Sequence, residues 1–305
     1  MHDFEDNLIT YCGFIAIVGR PNVGKSTLVN RIIGEKISIT ANKPQTTRHK
    51  IFGIKTLADK QIVYIDTPGL HLNYQKALNK EMNRQASSSL SDVDAILLVI
   101  EALKFTPEDA NVLAKIQKTN IPCLLVVNKV DTVTNKAKLL PFLQNIATKH
   151  PFHQIIPISA FTGDQVEIVE HEVVKLLPKS VFFFDELSKT DKNIKFRLAE
   201  IVREKLTRIL ADELPYAITV QIEHIDNSNP EKIKVHAIIW VERDSQKSIV
   251  IGKQGGNLKE IGTQARLDMN NLLKTRVHLQ LHVKVKNSWS SNVRDLRNLG
   301  YLDLD

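Results

Sequence analysis

The segment Gly19-Arg20-Pro21-Asn22-Val23-Gly24-Lys25-Ser26 matches G-x-x-x-x-G-K-[ST] in full. It also sits where that pattern has a physical meaning. An apolar run, Phe14–Val18, precedes it, and a helical pattern with Leu28, Val29, Ile32 and Ile33 apolar follows. Strand, glycine loop and helix in that order form a cradle for phosphate. The glycines let the backbone wrap closely, so its N–H groups point inward at anionic oxygens, and the helix N-terminus adds partial positive charge. In such a cradle Lys25 reaches the β- and γ-phosphates and Ser26 holds Mg²⁺. Gly19, Asn22, Val23, Gly24 and Thr27 are expected to complete the nucleotide contacts.

The rest of the first half alternates strands and helices. Short continuous apolar runs at Phe14–Val18, Ile62–Ile65, Ala95–Ile100, Cys123–Val127 and Ile155–Ile158 predict parallel strands buried on both faces. Helical stretches at Thr27–Gly34, Ala77–Leu90, Pro107–Lys118, Pro141–His150 and Gln165–Leu177 separate them, and Gly53–Ala58 reads as an antiparallel edge strand. This predicts a doubly wound, mostly parallel α/β sheet whose sites lie at the carboxyl ends of its strands.

Three of those strand ends carry chemistry. Asp66-Thr67-Pro68-Gly69 places a carboxylate where it can organise Mg²⁺ through water, and a glycine amide where it can approach a γ-phosphate. Asn128-Lys129-Val130-Asp131 follows the fourth strand. The Asp131 carboxylate can accept hydrogen bonds from guanine N1–H and the exocyclic amine, donors that adenine lacks there. Asn128 is expected at the base edge and Lys129 over the ring. Ser159-Ala160 supplies backbone to complete the base pocket. Taken singly, the Asp66 and Asn128 motifs are also ordinary turn and cap chemistry. Their order behind a phosphate loop gives the guanine-nucleotide reading.

The pattern ends near Pro178. Residues 179–193 read as a linker with three phenylalanines, Phe182–Phe184, that can pin it to one domain. From 194 the order changes to helix, strand, strand, short helix, long helix, strand. Between Lys232 and Lys286 there are 11 Lys/Arg against 4 Asp/Glu, so this segment alone carries an excess equal to the chain's net charge of +7. A basic stretch is the electrostatic footprint of a nucleic-acid partner. Within it lies Ile251-Gly252-Lys253-Gln254-Gly255-Gly256, a G-x-x-G loop between helices, which matches the RNA-clamping loop of a type II KH module. The plain alternative is a helix–turn–helix in an α+β domain.

These motifs make the chain resemble the Era family of translation-factor-class GTPases. The family's five nucleotide motifs stand here as Gly19–Ser26, Gln45-Thr46-Thr47-Arg48-His49, Asp66–Gly69, Asn128–Asp131 and Ile158-Ser159-Ala160. Leu214-Pro215-Tyr216, Trp289 and Leu296–Tyr301 extend the likeness over essentially the whole chain. The resemblance implies a GTPase domain at 1–178 and a KH RNA-binding domain at 194–305. It implies hydrolysis of GTP to GDP with Lys25, Thr47, Asp66 and Gly69 at the reaction centre, and Mg²⁺ on Ser26, Thr47 and Asp66. Thr47, with Thr46 as the alternative, is then the switch threonine in the polar stretch Thr40–Lys50. Leu70 stands where Ras-like proteins carry a water-orienting glutamine, so slow intrinsic hydrolysis is expected. Asn22 matches a K⁺-binding position in related GTPases. The implied partners are small-subunit ribosomal RNA, at its 3′ end, and the small ribosomal subunit during assembly. A monomer is expected, with weak association to the cytoplasmic face of the membrane as a family trait.

Other readings remain open at this stage: a constitutive RNA-binding protein with structural nucleotide, or a sister-family GTPase acting on tRNA or the large subunit. Met1–Asp6 is polar and acidic and does not read as a signal peptide. No apolar run approaches the ~18 residues of a membrane span. The two cysteines, Cys12 and Cys123, read as buried thiols in a reducing compartment, which predicts a cytoplasmic protein. Trp289 reads as packing, and the ten histidines form no metal pattern.

Overall fold

The computed structural model describes residues 9–41, 43, 46–69, 77–90, 92–210, 214–229 and 231–301. Gln45, Leu70 and the N-terminal Met1–Asp6 lie outside the described residues.

The first compact unit holds a six-stranded sheet in the order β2-β3-β1-β4-β5-β6. Its elements are β1 (Tyr11–Val18), α1 (Lys25–Ile33), β2 (Ile51–Leu57), β3 (Lys60–Asp66), α2 (Ala77–Ser88), β4 (Ala95–Glu101), α3 (Pro107–Ile116), β5 (Cys123–Asn128), α4 (Leu139–Ala147), β6 (Gln154–Pro157) and α5 (Val166–Val174). β1 pairs in parallel with β3 and β4, β4 with β5, and β5 with β6, while β2 pairs antiparallel with β3. The near-continuous apolar runs are explained by cover on both faces, because β4 and β5 are buried from end to end apart from Glu101. Helix starts follow local capping chemistry. Thr106 and Asp109 form a reciprocal cap ahead of Pro107, which takes the first helical position of α3. Pro141 sits in the first turn of α4, which begins two residues earlier than the proline suggested.

Residues 178–191 pack along this unit rather than standing clear of it. Ile54 N–H donates to Lys189 O and Phe52 N–H to the Asp191 carboxylate, both at 2.9 Å. Gln61 Oε1 accepts from Phe183 and Phe184 N–H at 3.0 Å each, and Phe183 lies 5.1 Å from the Phe14 ring. The stretch therefore covers the open edge of β2, whose unpaired backbone would otherwise be exposed.

The second unit contains α6 (Ile194–Ile209), β7 (Thr219–Asp226), β8 (Lys232–Val241), α7 (Asp244–Ile251), α8 (Gly256–Leu273), β9 (Arg276–Val285) and α9 (Val293–Asn298). The sheet order is β7-β8-β9, with β7/β8 antiparallel and β8/β9 parallel. One face of it, with Val235, Ala237, Ile239 and Val241, joins Leu198, Val202, Leu206, Ile261, Ala265 and Met269 in one apolar core. This is the type II KH arrangement expected from the order of elements. Trp289 is fully buried, donates from Nε1 to Ala217 O at 3.0 Å and stacks on Tyr301, so packing accounts for it.

The described residues of Ile39–Arg48 and the start of α2 also belong to the second unit, while Ser38 and His49 belong to the first.

Candidate functional site

The site begins where β1 ends. The chain turns through Gly19 to Gly24 and enters α1 at Lys25. Gly24 adopts φ +101°, and a Cβ there would stand 2.2 Å from Asn128 Nδ2, so no other residue fits without moving the Asn128 side chain. Lys25 is buried, and its ammonium donates to Gly19 O and Arg20 O at 2.9 Å each. Burial pushes its pKa down to about 8, against the raising effect of nearby Asp66.

Asp66 ends β3 fully buried. Its Oδ2 accepts from the Ser26 and Ser38 hydroxyls, at 2.7 Å each. A hydroxyl and a buried carboxylate converge here, which is the hard-oxygen donor chemistry that Mg²⁺ selects. Thr67 Oγ1 donates to Ile17 O at 2.9 Å and ties this strand end to β1. A Cβ on Gly69 would meet Pro21 at 2.9 Å, so the Asp66–Gly69 turn lies directly against the phosphate loop.

Asn128 ends β5 and does something different from the expected contact at the base edge. Its Nδ2 donates to Val23 O at 2.8 Å, and its Oδ1 accepts from Ala160 N–H at 2.9 Å. One buried amide thus ties the phosphate loop to the loop after β6. Val130 N–H donates to Ile158 O at 3.2 Å, and the Asp131 carboxylate is exposed beyond it. Ser159 is buried, its hydroxyl accepting from Thr162 N–H.

Sequence reasoning missed Glu101. It closes β4 in register with Asn128, and its carboxylate meets Arg20 at 3.2 Å and Lys129 at 3.0 Å, with Lys104 also on it. Burial raises the Glu101 carboxyl, but the hydrogen bonds from Lys104 and Lys129 outweigh it and hold it at about 2. Arg20 also meets Asp109 at 3.2 Å. The signal was available: Glu101 directly follows the apolar run of β4, at the carboxyl end where sites gather. Ser38 was missed because nothing local marks a serine that reaches Asp66.

The stretch read as a switch has partners in the second unit. Thr40 bonds Glu204, and Arg203 donates to Thr46 O. The Arg48 guanidinium, buried at 2% exposure, donates to Pro215 O at 2.7 Å and Ile218 O at 2.8 Å. Thr47 is buried and belongs to this second unit, whereas Ser26 and Asp66 belong to the first.

A second candidate surface lies at the G-x-x-G loop. Gly252 takes φ +74°, and a Cβ there would fall 2.7 Å from Asn257 Cγ. Lys253, Gln254 and Gly256 are exposed, and Ile251 and Gly255 half-buried. A groove of about 480 Å³ opens beside the loop, lined among others by Gly255, Lys259, Arg266, His278 and Leu281. Among the described residues no group of three or more His, Cys, Asp and Glu is placed to hold a metal, and no helix is long and apolar enough to cross a membrane.

Comparison with known proteins agrees with both halves. Residues 14–129 match a family model described as 50S ribosome-binding GTPase, and residues 213–290 match the KH domain. The chain is 49% identical over 294 residues to the GTPase Era of Glaesserella parasuis serovar 5, covering 96% of this chain and 98% of that protein. It is 50% identical over 293 residues to the GTPase Era of Coxiella burnetii strain Dugway 5J108-111, with the same coverage. A crystal structure of Era with MgGDPNP and nucleotides 1506–1542 of 16S ribosomal RNA superposes with a TM-score of 0.91 at 37% identity, over 96% of this chain and 99% of that one. An Aquifex aeolicus Era variant bound to GDP and AlF4⁻ gives 0.91 at 36% identity, with the same coverage.

Proposed function

The chain belongs to the GTPase Era family, and on that footing we propose a Mg²⁺-dependent switch that hydrolyses GTP to GDP and grips the 3′ end of small-subunit ribosomal RNA during subunit assembly. The observation that carries the nucleotide half is the Asn128 amide bonded to both Val23 O and Ala160 N–H. It holds the loop that takes phosphate and the loop that takes the base in one rigid frame, so recognition of guanine and phosphate is read together.

The roles follow from the positions. The Gly19–Gly24 backbone and Lys25 hold the phosphates, with Asn22 and Val23 in the turn and Thr27 in the first turn of α1 completing the nucleotide contacts. Ser26 and Asp66 supply oxygen donors for Mg²⁺, Asp66 through water, and Thr47 joins them in the GTP state. Bound Mg²⁺ neutralises charge on the β- and γ-phosphates as the bond breaks. Thr67, Pro68 and Gly69 meet the γ-phosphate side. Asp131 accepts from the guanine edge, Lys129 covers the ring, and Ser159-Ala160 closes the base pocket. Lys253 and the Ile251–Gly256 backbone contact RNA phosphates. Asn22 is the proposed K⁺ contact, and equal hydrolysis rates in matched KCl and NaCl would sink that part. The buried free thiols Cys12 and Cys123 suit a reducing, cytoplasmic setting.

The deciding experiment measures RNA affinity of the whole chain with GDP and with a non-hydrolysable GTP analogue. A switch binds the two differently, because coupling between sites is a difference in free energy. Equal affinities would leave a constitutive RNA-binding protein, and a Lys25→Ala protein that hydrolyses GTP normally would overturn the assigned site.

A further inference from the structure

The groove beside the G-x-x-G loop takes His278, Leu279 and Leu281 from β9, but the chemistry that suits RNA is not confined to that side of the sheet. β9 contributes His278 to the groove wall, and the same strand then runs on across the sheet. Alternation sends Val277 and Val283 into the core and leaves His278, Gln280, His282 and Lys284 exposed on the other face. β8 pairs with it in register, placing Lys234 opposite His278 and Trp240 opposite Lys284. The Trp240 ring is half-buried and fixed by a hydrogen bond from Nε1 to Gln221 Oε1 at 3.1 Å. The ammonium groups of Lys284 and Lys286 stand 5.9 and 5.7 Å from its centroid.

Resting on the reading of this unit as an RNA-binding KH domain, we infer that the face of β8 and β9 carrying Trp240, His278, Gln280, His282 and Lys284 is a second contact surface for single-stranded RNA. It continues from the groove at His278 and ends on Trp240. A flat sheet that offers an indole for base stacking beside cations for phosphate is the arrangement single strands use without needing base-edge readout. From His278 to Lys284 the strand advances ~20 Å, room for several nucleotides beyond those the loop clamps.

The acids on this face set the direction. Lys234 pairs with Asp226 at 3.2 Å, Lys284 lies 4.0 Å from Glu223, and Lys286 pairs with Asp295 at 2.8 Å. The Lys234–Asp226 and Lys284–Glu223 pairs lie toward solvent and are therefore weak, so a phosphate can exchange for the carboxylate. Glu223 and Asp226 both belong to β7 and repel phosphate there, which keeps the strand on β8 and β9.

The test uses the whole chain and two RNAs from the small-subunit 3′ end, one of about five nucleotides that fills only the groove and one of about fourteen. Trp240→Ala and Lys284→Ala should each weaken the longer RNA at least about fivefold, a loss in line with one stacked base or one phosphate contact, and leave the shorter one unchanged. Lys284→Ala should also lower the slope of log affinity against log salt for the longer RNA by about 0.7. A double variant in the loop, Lys253→Asp with Gln254→Asp, should weaken both RNAs. If the loop variant weakens both and the sheet variants change neither, the sheet is not an RNA surface and the inference is overturned. If the loop variant changes neither RNA, the KH reading itself fails.

Discussion

The Thr40 backbone N–H and hydroxyl both donate to one oxygen of Glu204, at 3.1 and 3.3 Å, across 164 residues of sequence. Glu204 is fully buried in α6, and Arg208 reaches both Glu204, at 2.8 Å, and Thr40 O, at 2.9 Å. A carboxylate that accepts several bonds in a buried place is costly to lose, because each hydrogen bond to a charged group contributes ~1.5–3 kcal/mol. Glu204→Gln should therefore loosen the Thr40 end of the segment. Hydrogen exchange at residues 39–41 should speed up about tenfold, as expected when such bonds lose their charged acceptor. Unchanged protection would show that the pair is incidental.

Gly24→Ala should weaken guanine-nucleotide binding about 10- to 100-fold, since a strained backbone of this kind costs ~1–3 kcal/mol. The added Cβ presses on Asn128 Nδ2 and so disturbs the bond to Val23 O as well. Calorimetric titration with GDP, with circular dichroism to confirm folding, checks this.

Asp131→Asn should lower GTP affinity at least about 100-fold, because two donors of guanine lose their charged acceptor. Xanthosine nucleotides, which carry a carbonyl in place of the exocyclic amine, should gain relative to guanosine nucleotides. Retained guanine preference in a competition assay would remove Asp131 from the base pocket.

Lys25 is held down at about 8 by burial in the free protein. Nucleotide phosphates favour its charged form, so they raise its pKa. Between about pH 8 and the ordinary lysine value near 10.5, binding must then take up a proton. Calorimetry of GDP binding at pH 9 in buffers of different ionisation enthalpy should show uptake approaching one proton, and little uptake at pH 7.

Burial pushes the Cys123 thiol up to about 12 and also raises Cys12. The thiolate is the reactive form. Iodoacetamide at pH 8 should leave both thiols unmodified in the native protein and alkylate both in denaturant, as read by mass spectrometry.

The strands of the first unit were legible because burial on both faces leaves an uninterrupted apolar run, as in Cys123–Val127, and because each run ends at a polar residue with a task. The glycine loops were legible because their conformations exclude side chains. What stayed hidden was every partnership made at long range. Glu200, Arg203, Glu204 and Lys205 carry nothing local that marks them for the interior, yet all four are buried and bond one another, residues of the Thr40–Lys50 stretch or α8. No local pattern announces that a charged helix face will be covered by a segment 160 residues earlier. Asn128 shows the same limit in smaller form: its position was predictable, its partners Val23 and Ala160 were not.

The burial of Arg48 bears on how this protein can be taken apart. Its guanidinium is held by the carbonyls of Pro215 and Ile218 and lies 3.4 Å from the Tyr301 hydroxyl. A fragment cut at Asp191 keeps the whole six-stranded sheet but leaves that arginine with none of these acceptors. Exchange and hydrolysis rates measured on such a fragment will describe a solvated loop, and dissection experiments need the intact chain as their reference.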